Sequence, residues 1–266
     1  MAVIGHEDKT ARAVRGNHQS FTAASRTGGV TKYARVSTDD GIQTGEYDDG
    51  VVTTDDGEYA IGADAELLAP CEPSAFYCVG RNYGETVEQM GYDVPDEPDF
   101  FIKGPTSLCG PNEEIVYPSF TQELTYAGEL AAVIDERCHD IDESAVDDVV
   151  RGYTIVNDLD ALDQDGRTAR KAFDGSAPLG PVIADIDPVG LDMETYVGGE
   201  RRQSDNTENM FVGPRATISF LSERFTFRPG DVISFGSPAN PGLVEPGDTV
   251  EITYEGIGTL SNTVVE

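Results

Sequence analysis

The sequence predicts a β-dominated α+β fold with short flanking helices, and three observations carry that prediction. Short runs rich in Val, Ile, Phe and Tyr recur along the chain, bounded by Asp-Gly and Pro-Gly turn signals. Helical periodicity is confined to a few short stretches. Strands do not alternate with long helices, as a doubly wound nucleotide fold would require.

From Thr31, the succession Lys32, Tyr33, Ala34, Arg35, Val36, Ser37 alternates as a half-buried strand does, and Asp39-Asp40-Gly41 and Asp48-Asp49-Gly50 punctuate as hairpin turns do. Residues 30–70 therefore read as a small β-rich N-terminal domain, with 63–68 expected to form a single helical turn. The main domain, 75–266, opens with an apolar strand at 75–79. Further strands are expected at 99–103, 114–117, 130–134, 153–156, 182–184, 193–197, 231–235 and 250–254. Helices are expected at 83–90, at 143–150 with acids at its front end, and at 215–225, where Ile218, Leu221 and Phe225 share a face. Residues 1–29 stand apart, with no periodicity and two of the three histidines. They read as a disordered tail or a mis-assigned start, so His6 and His18 are not recruited as metal ligands.

Composition excludes several function classes. The chain has 266 residues, 49 Asp and Glu against 18 Lys and Arg, and a formal net charge of -31. A protein that coats nucleic-acid phosphates is excluded by that sign. Such a charge repels itself in dilute buffer and is screened in molar salt, which predicts a salt-adapted cytoplasmic protein. Lysines number only four, at 9, 32, 103 and 171, against 14 arginines. Salt adaptation and Arg-favouring codon usage both account for that scarcity, and under either account Lys103 and Lys171 stand out. The cysteines Cys71, Cys78, Cys109 and Cys138 form no CxxC pair and read as buried thiols. No run approaches the roughly 18 apolar residues of a membrane span, so no membrane partner is expected.

Motifs for nucleotide loops, HExxH zinc sites and GxSxG elbows are absent. Outside the tail only His139 remains, and its place after Arg137-Cys138 reads as surface. Chemistry must therefore rest on carboxylates, a lysine or a metal.

The residues that narrow this are Val79-Gly80-Arg81-Asn82-Tyr83, Phe101-Ile102-Lys103-Gly104-Pro105, Tyr126-Ala127-Gly128-Glu129-Leu130, Gly152 to Asp158, Lys171-Ala172-Phe173-Asp174 and Pro178-Leu179-Gly180-Pro181. In order and spacing they resemble the fumarylacetoacetate hydrolase family. The segments 203–207, 229–238 and 246–262 extend the resemblance to the C-terminus. The resemblance implies a mixed β-roll or sandwich, a homodimer, and one Mg²⁺ or Mn²⁺ held with a small 2-oxo acid substrate. It also implies chemistry through an enolate, as isomerase, tautomerase, hydrolase or lyase.

Carried over residue by residue, the resemblance assigns Glu129 and Asp158 to the metal and Lys171 to catalysis. It assigns Ser237, Lys103 and Arg81 to the substrate. Several positions depart from the family pattern. Ala127 replaces the first glutamate of a Tyr-Glu-x-Glu-Leu strand, on the face shared with Glu129, and Asp160 is a candidate substitute ligand. Thr86 and Gln89 replace a His and Glu that activate water on a lid helix. Leu162 and Asp165 stand where an arginine and a glutamine anchor substrate. These departures favour enolisation over hydrolysis. The competing reading is a catalytically degenerate member that binds a ligand or acts as a scaffold.

The charge argument has a direct test. The melting temperature is expected to climb from about 0.2 to about 3 M KCl, because screening relieves self-repulsion. A flat profile would leave codon usage as the source of the composition.

Overall fold

Asp-Asp-Gly turns fold the first strands into a meander, as the sequence predicts. In a computed structural model that describes residues 29–91, 93–239 and 242–266, β1 (Thr31–Thr38), β2 (Gly41–Asp48), β3 (Val51–Thr54) and β4 (Gly57–Ala60) pair in succession, antiparallel. The tail expected over 1–29 lies outside the described residues, Gly29 excepted. Residues 63–68 are not the expected helical turn. They form a turn and then β5 (Glu66–Leu68), laid against β1 with Leu67 opposite Val36. An isolated helical turn is costly to nucleate, whereas an existing strand offers two leucines both hydrogen bonds and cover.

Downstream come β6 (Phe76–Gly80), β7 (Asp99–Lys103) and three two-residue strands, β8 (Leu108–Cys109), β9 (Ile115–Val116) and β10 (Leu124–Thr125). The middle of the fold is built from β11 (Gly128–Ile134), β12 (Val150–Asn157), β13 (Asp160–Ala161) and β14 (Ala177–Asp185). The chain ends with β15 (Asp192–Val197), β16 (Glu200–Asn206), β17 (Val232–Ser234), β18 (Thr249–Tyr254) and β19 (Gly258–Val265). Among the described residues, three short α-helices flank the strands: α1 (Gly84–Met90), α2 (Arg167–Lys171) and α3 (Pro214–Ser222).

A large mixed sheet runs in the order β4-β3-β2-β1-β14-β12-β11-β17-β6-β7, and a five-stranded sheet in the order β16-β15-β18-β19-β9. Because β1 pairs with β14, Tyr33 opposite Ile183, the N-terminal meander extends the main sheet. The second sheet covers one face of the first. Leu130, Ala132 and Ile134 of β11 join one core with Met193, Ile252 and Leu260. Ala131 and Val133, pointing the other way, pack with Phe76, Val156, Leu179 and Val232. All seven residues of β11 are therefore buried, and Glu129 is the only charge among them.

Two other expectations needed correction. The helix expected at 143–150 is a 3-10 turn over Glu143–Asp148, and Val150 already belongs to β12. Val149-Val150 is β-branched, and β12 gains a full ladder to β11 by starting there. Strands β16 and β19 were not expected. The first is a mostly polar edge strand. In β19 the inward position 262 is an asparagine, which hides the alternation and bonds to the carbonyls of Gly110 and Glu113, both at 2.8 Å.

Gly128 sets how closely the sheets approach. A Cβ there would lie 2.6 Å from Thr195 Oγ1 and 2.9 Å from Ile252 Cγ2. Gly128→Ala is expected to lower unfolding free energy by about 1–3 kcal/mol, the usual effect of overpacking a dense core. Urea unfolding in about 2 M KCl measures it, at the salt level that screens surface repulsion.

Candidate active site

Strand register creates the site. Gly128 pairs with Asn157 and Glu129 with Val156, so the start of β11 lies beside the end of β12. The Asn157 side chain accepts the Ala127 N–H at 3.1 Å, and the Ala127 carbonyl accepts the Asp158 N–H at 2.9 Å. Glu129 and Asp158, 29 positions apart in sequence, are thereby fixed in the wall of one cavity of about 710 Å³. Ala127, Asp160, Lys171, Arg81 and Ser237 line the same cavity.

Asp158 is 2% exposed and sits between two ammonium groups. Lys103 Nζ lies 2.7 Å from Oδ1, and Lys171 Nζ donates to Oδ2. Burial alone would raise this carboxyl, but Lys103 and Lys171 outweigh it and hold its pKa below the ordinary value. Lys171 also reaches Asp160 Oδ2 at 3.3 Å and stands 5.3 Å from the Phe101 ring centroid. Burial pulls its pKa down, but the Asp158 and Asp160 charges raise it above the usual lysine value, so the ammonium is retained.

Lys103, expected to touch substrate, is placed differently. It is 0% exposed, lies beneath Asp158 and outside the cavity lining, and donates to the carbonyls of Leu159 at 3.0 Å and Ser176 at 2.6 Å. With a carboxylate and two carbonyls, its three donors are spent on the protein. Its role is to position Asp158 and the turn that follows.

Glu129 is buried as deeply but meets a backbone N–H where Asp158 meets two ammonium groups. Burial first, and the Asp158 charge second, push its carboxyl pKa up to about 8. The Gly236 N–H donates to Oε2 at 3.1 Å. Gly236 has φ 88°, and a Cβ there would meet Asn82 Cβ at 3.1 Å, so only glycine brings this N–H to the carboxyl.

The remaining expected residues form the rim. Arg81 leaves β6 with φ 57°, a left-handed conformation uncommon outside glycine, and pairs with Asp99 at 3.4 Å. Ser237 Oγ accepts from Gln203 Nε2 at 2.7 Å, while Gln203 Oε1 accepts the Gly128 N–H at 3.2 Å. Gln203 thus ties the serine loop to the start of β11. Its place at the head of segment 203–207 was the only sequence signal for it. Asp160 does not extend a row with Asp158. It belongs to β13, and Arg170 grips it with two hydrogen bonds of 2.8 and 2.6 Å.

Leu162 and Asp165 line the cavity, and α2 supplies two guanidiniums on that side, Arg167 and Arg170. Sequence reading missed α2, because Gly166 precedes it and it spans only five residues. On α1, the Thr86 hydroxyl donates to the Ser237 carbonyl at 2.9 Å, and Gln89 is exposed and outside the lining. The lid helix is tied to the loop by Thr86 and carries no acid–base pair over the cavity. His139 is surface, with Nδ1 3.3 Å from the Phe225 carbonyl.

A family model described as fumarylacetoacetate (FAA) hydrolase C-terminal matches residues 75–265. The chain belongs to the fumarylacetoacetate hydrolase family. An uncharacterized protein of Archaeoglobus fulgidus is 39% identical over 231 residues, covering 85% of this chain and 92% of that one. The oxaloacetate tautomerase YisK of Bacillus subtilis is 35% identical over 222 residues, covering 76% of this chain and 74% of YisK. A crystal structure of 5-carboxymethyl-2-hydroxymuconate delta-isomerase from Mycobacterium smegmatis is 37% identical, with a TM-score of 0.80, covering 88% of this chain and 98% of that one.

Family resemblance implies a divalent cation at Glu129 and Asp158, and the donor set here does not fit one. Among the described residues no three His, Cys, Asp or Glu side chains gather to hold a metal. Ala127 contributes a methyl group, Asp160 is taken by Arg170, and both oxygens of Asp158 face ammonium groups. Mg²⁺ fills much of its shell of about six oxygens with water, but the one or two carboxylates that hold it must turn oxygens toward it that no other cation occupies. The carboxylates Asp158 and Asp160 already meet three fixed cations, Lys103, Lys171 and Arg170, so their charge is matched without a metal.

The raised Glu129 pKa predicts a pH signature. Its folded value of about 8 lies above the usual 4.5, so its contribution to stability is full below about pH 4.5 and is lost as pH rises through about 8. Glu129→Gln carries no such titration. Chemical denaturation is expected to show the variant gaining on wild type between about pH 5 and pH 8, a gain that levels off above. Parallel pH profiles would show that the carboxyl is ionised throughout.

Proposed function

We propose that this family member interconverts the keto and enol forms of a small 2-oxo acid, a tautomerase or isomerase chemistry. The observation that carries the reading is the Lys171 ammonium, held in the cavity wall by Asp158 and Asp160. A preorganised cation of that kind stabilises an enolate oxygen without reorganising at the moment of reaction. Arg81, Arg167 and Arg170 line the same cavity, each set on Asp99 or Asp160, and their positive charge suits a substrate bearing a second carboxylate. Ser237 adds a hydroxyl at the rim.

In this reading the carbon next to the carbonyl loses a proton to Glu129, the enolate oxygen rests against Lys171, and the proton returns to oxygen to give the enol. No atom is gained or lost, so no water need be activated. That matters because Thr86 and Gln89 cannot activate one. The relatives named as a tautomerase and a delta-isomerase support the same class. Hydrolysis would require a base over the cavity that the lid does not supply. The tie of Thr86 to Ser237, in the place of a base, favours a second reading: a degenerate member that binds the acid without turnover.

Oxaloacetate enol–keto exchange, followed by enol absorbance in about 2 M KCl where surface charge is screened, separates the two. Wild type is expected to accelerate it, Lys171→Met to lower kcat/KM by about 100-fold or more, and Thr86→Ala to leave the rate in place. Saturable binding of oxaloacetate with no acceleration, there or on other small 2-oxo acids, would establish the binding reading instead.

A further inference from the structure

The carboxylate cluster supports a step beyond the reaction class. We propose that the Lys171 ammonium takes the seat of the divalent cation, and that Ala127 is the residue that makes this exchange possible. The inference deepens the reading of the same site and rests on the same Lys171 geometry, but its test reads metal uptake and not turnover.

Three observations converge. Lys171 Nζ contacts Asp158 and Asp160 at once and stands over Phe101, inside the cavity that Glu129 also lines. A cation of charge +2 would have to displace it from both carboxylates, while Lys103 stays fixed on the far oxygen of Asp158. Ala127 lies on the cavity wall beside Asp158, bound to it through the backbone, and there the chain presents a methyl group where a carboxylate would add a further oxygen donor and a further negative charge. Asp160 cannot make up the loss, because Arg170 holds it with two hydrogen bonds. A hard divalent ion needs several oxygens converging on one point, whereas an ammonium needs only two or three acceptors. The oxygens present match the second requirement.

The residue at 127 and the residue at 171 therefore act as a pair. Alanine with lysine gives a built-in monovalent cation. Glutamate at 127 would add the oxygen donor that a metal needs beside Asp158, and an uncharged side chain at 171 would clear the ammonium from the same oxygens.

Mn²⁺ uptake, read from the EPR signal of free Mn²⁺ in about 2 M KCl, tests this without any substrate, since screening suppresses loose binding to the acidic surface. Wild type and Glu129→Ala are expected to give superimposable curves. The double variant Ala127→Glu with Lys171→Met is expected to take up one more Mn²⁺ per chain than wild type. The proposal is overturned if wild type binds one Mn²⁺ that Glu129→Ala does not, or if the folded double variant binds no more than wild type. Should the double variant fail to fold, the first comparison still decides the matter. A wild type that binds no Mn²⁺ and also fails to exchange oxaloacetate would sink the reaction proposed above while leaving the metal-free site standing.

Discussion

The pocket is organised around a buried carboxylate held between two lysines. Asp158 cannot be charged in so dry a position unless partners compensate it, and Lys103 and Lys171 do so from opposite sides. Removing one partner of such a cluster typically costs about 3–5 kcal/mol, because a buried charge is left uncompensated. Much of the local backbone follows from this constraint. Lys103 fastens the carbonyls of Leu159 and Ser176 to β7, and the Ser176 carbonyl also accepts the Leu159 N–H. The turn after β12 is drawn toward the cavity as a result.

A second constraint comes from β11. Strands covered on both faces are read by their apolar side chains, and a charge within one is tolerated only if neutralised or engaged. Glu129 meets that demand through the Gly236 N–H and through a raised pKa. Gly128, its neighbour, lets the second sheet come close on the opposite face. The strand therefore serves as core and as active-site wall at once, by simple alternation of its side chains.

The rim was only partly legible in the sequence. Glu129, Asp158, Lys171, Arg81 and Ser237 were marked by a family pattern, and they do line one cavity. Lys103 carried the same kind of signal, yet it is a buried anchor, since a motif does not say which side of a carboxylate a lysine approaches. Asp160 was read as a neighbour of Asp158 along a continuing strand. The chain turns instead at Leu159, whose N–H bonds to the Ser176 carbonyl, and Asp160 meets Arg170 from a helix too short to show periodicity. Gln203 was hidden because β16 is polar and lies at a sheet edge.

The sequence by itself determined the fold class, most of the strands of the main sheet and the family. Turn residues, β-branched runs and motif order are local properties and survive without three-dimensional information. Only the tertiary structure decided the balance of charge at the site. Lys103, Asp158, Asp160, Arg170 and Lys171, drawn from three separate stretches of the chain, become one ion-pair cluster beside Glu129 only when strand register and the β12 turn bring them within a few ångströms. Electrostatic interaction depends on distance and burial, and neither is written in the order of residues.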